Sequence, residues 1–254
     1  MMPIDLFLIR HGQSEGNAAI HLAKHGDDSA YTEKFLRRHS SKWRLTDRGI
    51  MQARETGEWL RLNTNTMFDH YYVSDYLRAK ETAAELGFPN ARWQIDFLLN
   101  EREYGEIDPD SGAYKKDSFH KTNESKTEFY LRIGHIIQKL HRECEGERVI
   151  IVSHGEVMWE FRRQLEQMSP ERLEELKSSL NPLNWIKNGQ ILHYTRRNPQ
   201  RYGIVPHFNW MRSICPNKLE WSRPEWVEIV RQTFTNGELL TNVARYPRIC
   251  NLKY

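Results

Sequence analysis

Cysteine is scarce. Cys144, Cys215 and Cys250 are three thiols spread over 254 residues, and none falls in a C-x-x-C pair. That spacing excludes a disulfide framework and points to reduced thiols in a cytoplasmic protein. Long apolar runs are missing too: nothing approaches the roughly 20 residues needed to cross a bilayer. The N-terminal run Ile4–Ile9 is too short for a signal sequence and has no basic residues before it. Charge of one sign is absent: 37 basic and 34 acidic residues give a formal +3, with no polybasic arm. Neither a nucleic-acid nor a membrane partner is indicated. There is no internal repeat and no low-complexity tract. What remains is an ordinary apolar fraction of 39%, enough for a sizeable core in one large α/β domain with or without an appendage.

The elements alternate. Ile4–Ile9 reads as a buried parallel strand, and Ser14 can cap a helix carrying Ala18, Ala19, Leu22 and Ala23. Residues 24–44 are irregular, with a short helix around Glu33–Arg38. Thr46 caps a helix with Ile50, Ala53, Gly57 and Leu60 on one stripe. Tyr71-Tyr72-Val73 is a strand ending at Ser74, the predicted cap of a helix to about Leu86. Trp93–Leu99 is extended, 103–122 is a long polar loop, and Glu124–Cys144 is a helix. Val149–Val152 is the clearest buried strand; helices follow at about 156–167 and 170–180, then a strand at Gln190–Thr195. Such alternation predicts a three-layer α/β/α sandwich with a mostly parallel central sheet. Residues 1–197 would form the catalytic domain, with insertions at about 18–44 and 103–122. The stretch 198–254 is Trp- and Pro-rich, with one helix near 224–235 and with Trp210, Trp221 and Trp226 packing it onto the same domain as a C-terminal extension.

Two strands end in chemistry. Arg10-His11-Gly12 follows the first, and Val152-Ser153-His154-Gly155 ends the other. Ligands of α/β sheets gather at such strand ends. Arginine forks onto phosphate oxygens, glycine allows close backbone approach, and a neutral imidazole can attack phosphorus. Phosphoryl transfer through histidine also needs further cations on the equatorial oxygens and a carboxyl to protonate the leaving oxygen. Arg78, on the first turn of the helix after a strand, suits the first need, and Leu99-Asn100-Glu101-Arg102-Glu103-Tyr104-Gly105 offers the second. Glu103 and Glu106 stand close enough in sequence to compete with Glu101 for the acid role.

Together these motifs resemble the histidine phosphatase superfamily, also called phosphoglycerate mutase-like. The ordered set is R-H-G-Q-S-E-G-N, L-T-D-R-G-I-M-Q-A, S-D-Y-L-R-A-K-E-T-A, L-N-E-R-E-Y-G, V-S-H-G and N-G-Q-I-L-H-Y, spanning about 1–195. The resemblance implies His11 as the phosphorylated nucleophile, Arg10, Arg78 and His154 as phosphate ligands, and Glu101 as proton donor. It puts Asn17 in the same pocket, with Gly12, Ser14, Gly155, Arg102 and Tyr104 as substrate contacts. It implies no metal and no organic cofactor.

Within the superfamily, Leu99–Gly105 is similar to the mutase loop. The segment between Asn17 and Leu45 lacks the compact mutase pattern, and Ser169-Pro170-Glu171-Arg172-Leu173 with Asn181-Pro182-Leu183-Asn184 is similar to the broad acid-phosphatase-like branch. The balance favours a phosphatase acting on a small phosphorylated molecule through phosphohistidine, with a mutase-like phosphotransferase as alternative. Glu156 is out of place beside His154 unless its carboxylate points away. Two other classes stay open. His11, His154 and Glu101 could ligate a metal, although Arg10 and Arg78 would repel it. A non-catalytic phospho-ligand binder would share the fold. Arg102, Lys115 and Lys116 hint at a second anionic group on the ligand. Whether the chain is a monomer or a homodimer has no signature.

Overall fold

A computed structural model describes residues 1–65, 67–102 and 124–249. The strands are β1 (Asp5–Arg10), β2 (His70–Val73), β3 (Trp93–Ile95), β4 (Arg148–Ser153), β5 (Ile191–Thr195), β6 (Trp210–Ile214) and β7 (Arg223–Glu228). The α-helices are α1 (Glu15–Ala23), α2 (Glu33–Leu36), α3 (Asp47–Asn63), α4 (Leu77–Glu85), α5 (Lys126–Glu143), α6 (Gly155–Leu165), α7 (Pro170–Ser178) and α8 (Asn236–Ala244). The seven strands form one mixed sheet in the order β3-β2-β4-β1-β5-β6-β7.

The α/β expectation holds, and its parallel character is confined to one half. β3, β2, β4 and β1 run parallel. β5 to β7 are antiparallel to their neighbours, so the last strands widen the sheet by hairpin-like steps rather than crossovers. The helix predicted near 224–235 is not there. Arg223–Glu228 is the edge strand β7, and the helix comes later, at Asn236–Ala244. Pro224 and three charged residues suit an edge, where one side of the ladder needs no partner. Trp226 packs on the ring of His193, 4.8 Å between centroids, which ties β7 to the sheet.

Alternation along β1 and β4 sorts the core into two layers. Leu6, Leu8, Val149 and Ile151 pack with Ile133, Ile136, Leu140, Val157 and Phe161 of α5 and α6. Phe7, Ile9, Ile150 and Val152 pack with Leu60, Ala79 and Ala83 of α3 and α4. The two-residue period therefore carries on past the strand: Arg10 falls on the α6 side and His11 on the α4 side.

Gly12 fixes how the end of β1 meets α3. A Cβ there would sit 2.2 Å from the carbonyl oxygen of Gly49, and one at Gly49 would sit 2.1 Å from that of Gln13. Both collisions are with backbone, which cannot swing aside. Gly12→Ala is expected to cost about 1–3 kcal/mol by overpacking. A urea titration reads that cost as a lower midpoint at unchanged slope; an unshifted midpoint would mean that the two turns are not pressed together.

Candidate active site

β1, β4 and β2 lie side by side, so their carboxyl ends deliver His11, His154 and Arg78 to one place. His11 is 2% exposed, His154 is fully buried and Arg78 is 5% exposed. The two imidazole rings stand 5.1 Å apart, edge to face. The guanidinium of Arg78 donates from Nε to His11 Nε2 at 3.2 Å and from Nη1 to the carbonyl of Ser40 at 2.7 Å.

The hydrogen bonds dictate both tautomers. His11 Nδ1 lies 2.6 Å from the carbonyl oxygen of Gly12, which can only accept, so Nδ1 carries the hydrogen. Nε2 receives the Arg78 N–H and is therefore the bare, nucleophilic nitrogen. The second imidazole is ordered by a relay. Asn100 Oδ1 accepts from the amide of Asp75 and from the Ser74 hydroxyl, both at 2.9 Å. Ser74 Oγ must then accept from His154 Nε2, at 2.8 Å. His154 Nδ1 is left buried and without a partner, as is Nε of Arg10.

The electrostatics follow from crowding of cations in a dry place. Burial, Arg78 and Arg10 hold the His11 pKa well below its ordinary value, against the pull of the Gly12 carbonyl. Burial, Arg78, His11 and Arg10 do the same to His154. Both rings are neutral at physiological pH. Glu101 is pushed up by burial and by Glu156, with Arg78, the Arg102 amide and Arg10 pulling the other way. A carboxyl held protonated above its normal range is suited to donate.

The helix ends add to this. α1, α2, α3, α5, α7 and α8 each begin with a Ser or Thr side chain accepting from the first turn. α4 and α6, which follow the strands bearing the site, have no side-chain cap. Their first-turn N–H groups are the kind that bind anions. Ser74 is thus not the cap of α4 that the sequence predicted; the cap position falls on Tyr76, and Ser74 spends its hydroxyl on the His154 relay.

Arg10 reaches past β1, donating from Nη1 to the carbonyl of Ile186 at 2.7 Å, and its guanidinium lies against Gly155. Asn17 closes the capping box with Ser14, and its Oδ1 also accepts from Asn188 Nδ2 at 3.0 Å. Only its amide nitrogen is left for a ligand. Glu156, anomalous in the sequence, turns away and pairs with Lys177 at 2.6 Å. Two expected substrate contacts are spent inside the protein: the Gly12 amide donates to Thr82 Oγ1, and Ser14 is buried in its capping box. Arg102 donates to the Glu124 carbonyl at 3.2 Å, at the entry to α5. Tyr104, the competing Glu103 and Glu106, Lys115, Lys116 and the loop 103–122 lie outside the described residues.

Asn188 was missed as a site residue. Its Nδ2 donates to the carbonyl of His11 as well as to Asn17, both at 3.0 Å, which ties the His11 backbone to the loop before β5. The N-G-Q motif was visible, but nothing local revealed its partner 177 residues away.

These features gather cations and uncapped helix N-termini around a neutral imidazole whose Nε2 carries no hydrogen. The chain belongs to the histidine phosphatase superfamily (branch 1), whose profile matches residues 6–198. It is 31% identical over 199 residues to a 2,3-bisphosphoglycerate-dependent phosphoglycerate mutase of Parvibaculum lavamentivorans, covering 68% of this chain and 84% of that protein. Among solved structures it resembles an α-ribazole-5'-P phosphatase from Escherichia coli, described as putative, at 20% identity and a TM-score of 0.56, covering 81% of this chain and 96% of that one. It also resembles a phosphoserine phosphatase from Entamoeba histolytica in complex with 3-phosphoglyceric acid, at 20% identity and a TM-score of 0.52, covering 80% and 95%. Among the described residues no helix is long and apolar enough to cross a membrane.

The depressed imidazoles have a consequence for stability. His193, buried beside Asp5, is likewise lowered, to about 4. As pH falls below about 6.5 the unfolded chain takes up protons on these three rings while the folded chain does not. Stability should therefore be lost from about pH 6.5 downward until the folded values are reached. In His154→Gln one such ring is gone. Denaturant titrations between pH 8 and 5 should show a shallower decline for the variant, each protein referred to its own value at pH 8; parallel declines would place a charged His154 in the folded state.

Proposed function

We propose that the protein is a phosphatase that hydrolyses a small phosphomonoester through a covalent phosphohistidine on His11. The observation that carries this reading is the forced tautomer: Nδ1 tied to a carbonyl, Nε2 bare and facing a guanidinium. Neutrality, orientation and a nearby cation are what an attacking imidazole needs.

In the resting site Arg78 Nε donates to the nucleophile's own lone pair. An incoming phosphoryl group takes over that N–H, which frees Nε2 in the same motion. Nε2 then attacks phosphorus, the ester P–O bond breaks, and Glu101 gives its proton to the departing alcohol oxygen. Arg10, Arg78 and the open helix ends hold the three equatorial oxygens. His154 meets them through Nδ1, which must take up a proton to donate. In the second half Glu101, now a carboxylate, removes a proton from water as the water attacks phosphorus. The N–P bond breaks, phosphate leaves and His11 is restored. Asn17 contributes its amide nitrogen to the same oxygens.

The carrying observation also weighs against a metal at His11, His154 and Glu101. His11 Nε2 is already an acceptor for a guanidinium, and Arg10 and Arg78 favour an anion in that space. A mutase-like phosphotransferase remains the second reading, since the relative from Parvibaculum lavamentivorans bears that name and shares the first half of the chemistry.

His11→Ala should abolish turnover, and Glu101→Gln should lower kcat by about 10²–10⁴. Wild-type protein quenched in alkali after mixing with labelled substrate should retain a label that acid removes. Substantial turnover by His11→Ala ends the covalent reading. Offered 3-phosphoglycerate, the protein should release inorganic phosphate; appearance of the isomer in its place selects the mutase.

A further inference from the structure

β2 and β4, whose carboxyl ends deliver Arg78 and His154, gather a different set of donors at their amino ends. β2 opens on His70, and α5 runs into β4 through the turn Cys144-Glu145-Gly146-Glu147. Gly146, at φ +76°, lets the chain reverse there, and the Glu147 amide donates to the Cys144 carbonyl at 3.2 Å. Parallel pairing of β2 with β4 sets His70 opposite Val149, two residues past that turn. A ring nitrogen of His70, the Cys144 sulfur and a Glu147 carboxylate oxygen thereby lie within 4.8 Å of one another. Among the described residues this is the one group of three or more His, Cys, Asp or Glu side chains that converges so closely.

The donors are those of a transition-metal site. Imidazole nitrogen, thiolate sulfur and carboxylate oxygen together suit zinc, whereas calcium and magnesium take oxygen ligands. The spacing fits as well: bonds of about 2.0–2.3 Å set tetrahedral donors roughly 3.3–3.8 Å apart, within small side-chain shifts of this trio. Two of the three can make those shifts. His70 and Glu147 are 32% and 42% exposed, and His70 Nε2 is hydrogen-bonded to Glu147 Oε2, so an ion entering there displaces the hydrogen between them. The sulfur is the fixed point. Cys144 is fully buried at the C-cap of α5, its amide on the Leu140 carbonyl at 3.0 Å. The Tyr72 hydroxyl lies 3.7 Å from the sulfur, placed to donate to a thiolate, and the Tyr72 ring stacks on that of His70 with 5.9 Å between centroids. The cation that shares this corner, Lys139, lies 4.8 Å from the Tyr72 ring centre and is already paired with Asp96 at 2.9 Å.

We propose that His70, Cys144 and Glu147 bind one divalent ion of the zinc class, with water as fourth ligand on the exposed side. On binding, Cys144 gives up its thiol proton, and the hydrogen on His70 Nε2 moves to Nδ1 or to solvent. The ion clips the start of β2 to the turn before β4. Its role is structural, because the groups around His11 stand at the other ends of these strands, and the phosphatase reading does not depend on it.

The test uses the full chain, reduced and stripped of metal with a chelator, with cobalt(II) or zinc(II) as the only addition. One equivalent of cobalt should give the strong visible bands of a tetrahedral ion and a thiolate-to-metal charge-transfer band in the near ultraviolet, both erased by zinc. Cys144→Ser should lose the charge-transfer band, while Cys215→Ser and Cys250→Ser keep it. His70→Gln and Glu147→Gln, on partly exposed side chains, should each weaken zinc at least about tenfold in a competition titration. Thermal melts without metal check that every variant folds; should Cys144→Ser not fold, the His70 and Glu147 variants decide. Absence of the charge-transfer band in the wild-type chain, its persistence in Cys144→Ser, or zinc affinity unmoved in either folded glutamine variant overturns the site. What is left then is a core thiol beside a surface imidazole–carboxylate pair.

Discussion

Positive charge confined where water is scarce governs this structure. Arg10 and Arg78 bring guanidinium groups to the carboxyl end of β1 and to the head of α4, and burial together with their field keeps the His11 and His154 imidazoles neutral. An imidazole that stayed charged could not attack phosphorus, and one left in water would be a weak, wandering nucleophile. The cations therefore do two things: they make the space between them suited to an anion, and they disfavour the charged form of the His11 imidazole. Glu101 answers differently: desolvation raises its carboxyl, even though Arg78 and Arg10 pull it down. Burial moves both kinds of group, lowering the imidazoles and raising the carboxyl, while the cations reinforce the first shift and oppose the second.

Such a site stores free energy that the rest of the fold must offset. The unpartnered Nε of Arg10, the bare Nδ1 of His154 and the uncapped α4 and α6 are each unfavourable in themselves. Elsewhere the chain takes the opposite course, with side-chain caps on the remaining α-helices and fully buried strands in β1 and β4. Among the described residues, Arg10 Nε and His154 Nδ1 lack a partner at the site, while Trp43 Nε1 lacks one away from it. A strand-end location makes this tolerable, because the polar ends of β1, β2 and β4 are fixed by apolar side chains a few residues back on both faces of the sheet.

Legibility in the sequence followed the same divide. β1 and β4 are continuous apolar runs, and a buried parallel strand has few other readings. What lies at their ends, Arg10-His11-Gly12 and His154-Gly155, was legible for that reason, as was Arg78 in its helix. The C-terminal strands were not. β7 alternates charge, proline and tryptophan because an edge strand is solvated on much of its surface, and its spacing imitates a helix. β5 reads as a strand, but its antiparallel direction depends on pairing with β1, which no local pattern encodes. The roles of Gly12 and Ser14 were assigned to the ligand because the motif sits beside it. Their partners, Thr82, Gly49 and the α1 backbone, show that a motif next to a nucleophile can serve the turn that carries it. Asn188 meets His11 and Asn17 only through the tertiary fold, so spacing alone could not reveal it.

Hydrolysis and phosphoryl transfer share the attack by histidine and part company afterwards, when either water or the bound alcohol takes the phosphoryl group back. The groups that attack and stabilise are the same in both, so the division must be carried by the walls that hold the organic part of the substrate. Beside Arg10 and Asn17 in this chain, Lys187, Asn188, Lys218 and Trp221 form one wall of an adjoining cavity. Two of these four residues come from the chain that follows residue 198, folded back as β6 and its outgoing turn. The antiparallel half of the sheet is therefore more than an added edge. By running back beside β5 it returns the chain to the carboxyl end of β1, and so lets residues outside the family core line the same space as Arg10 and Asn17.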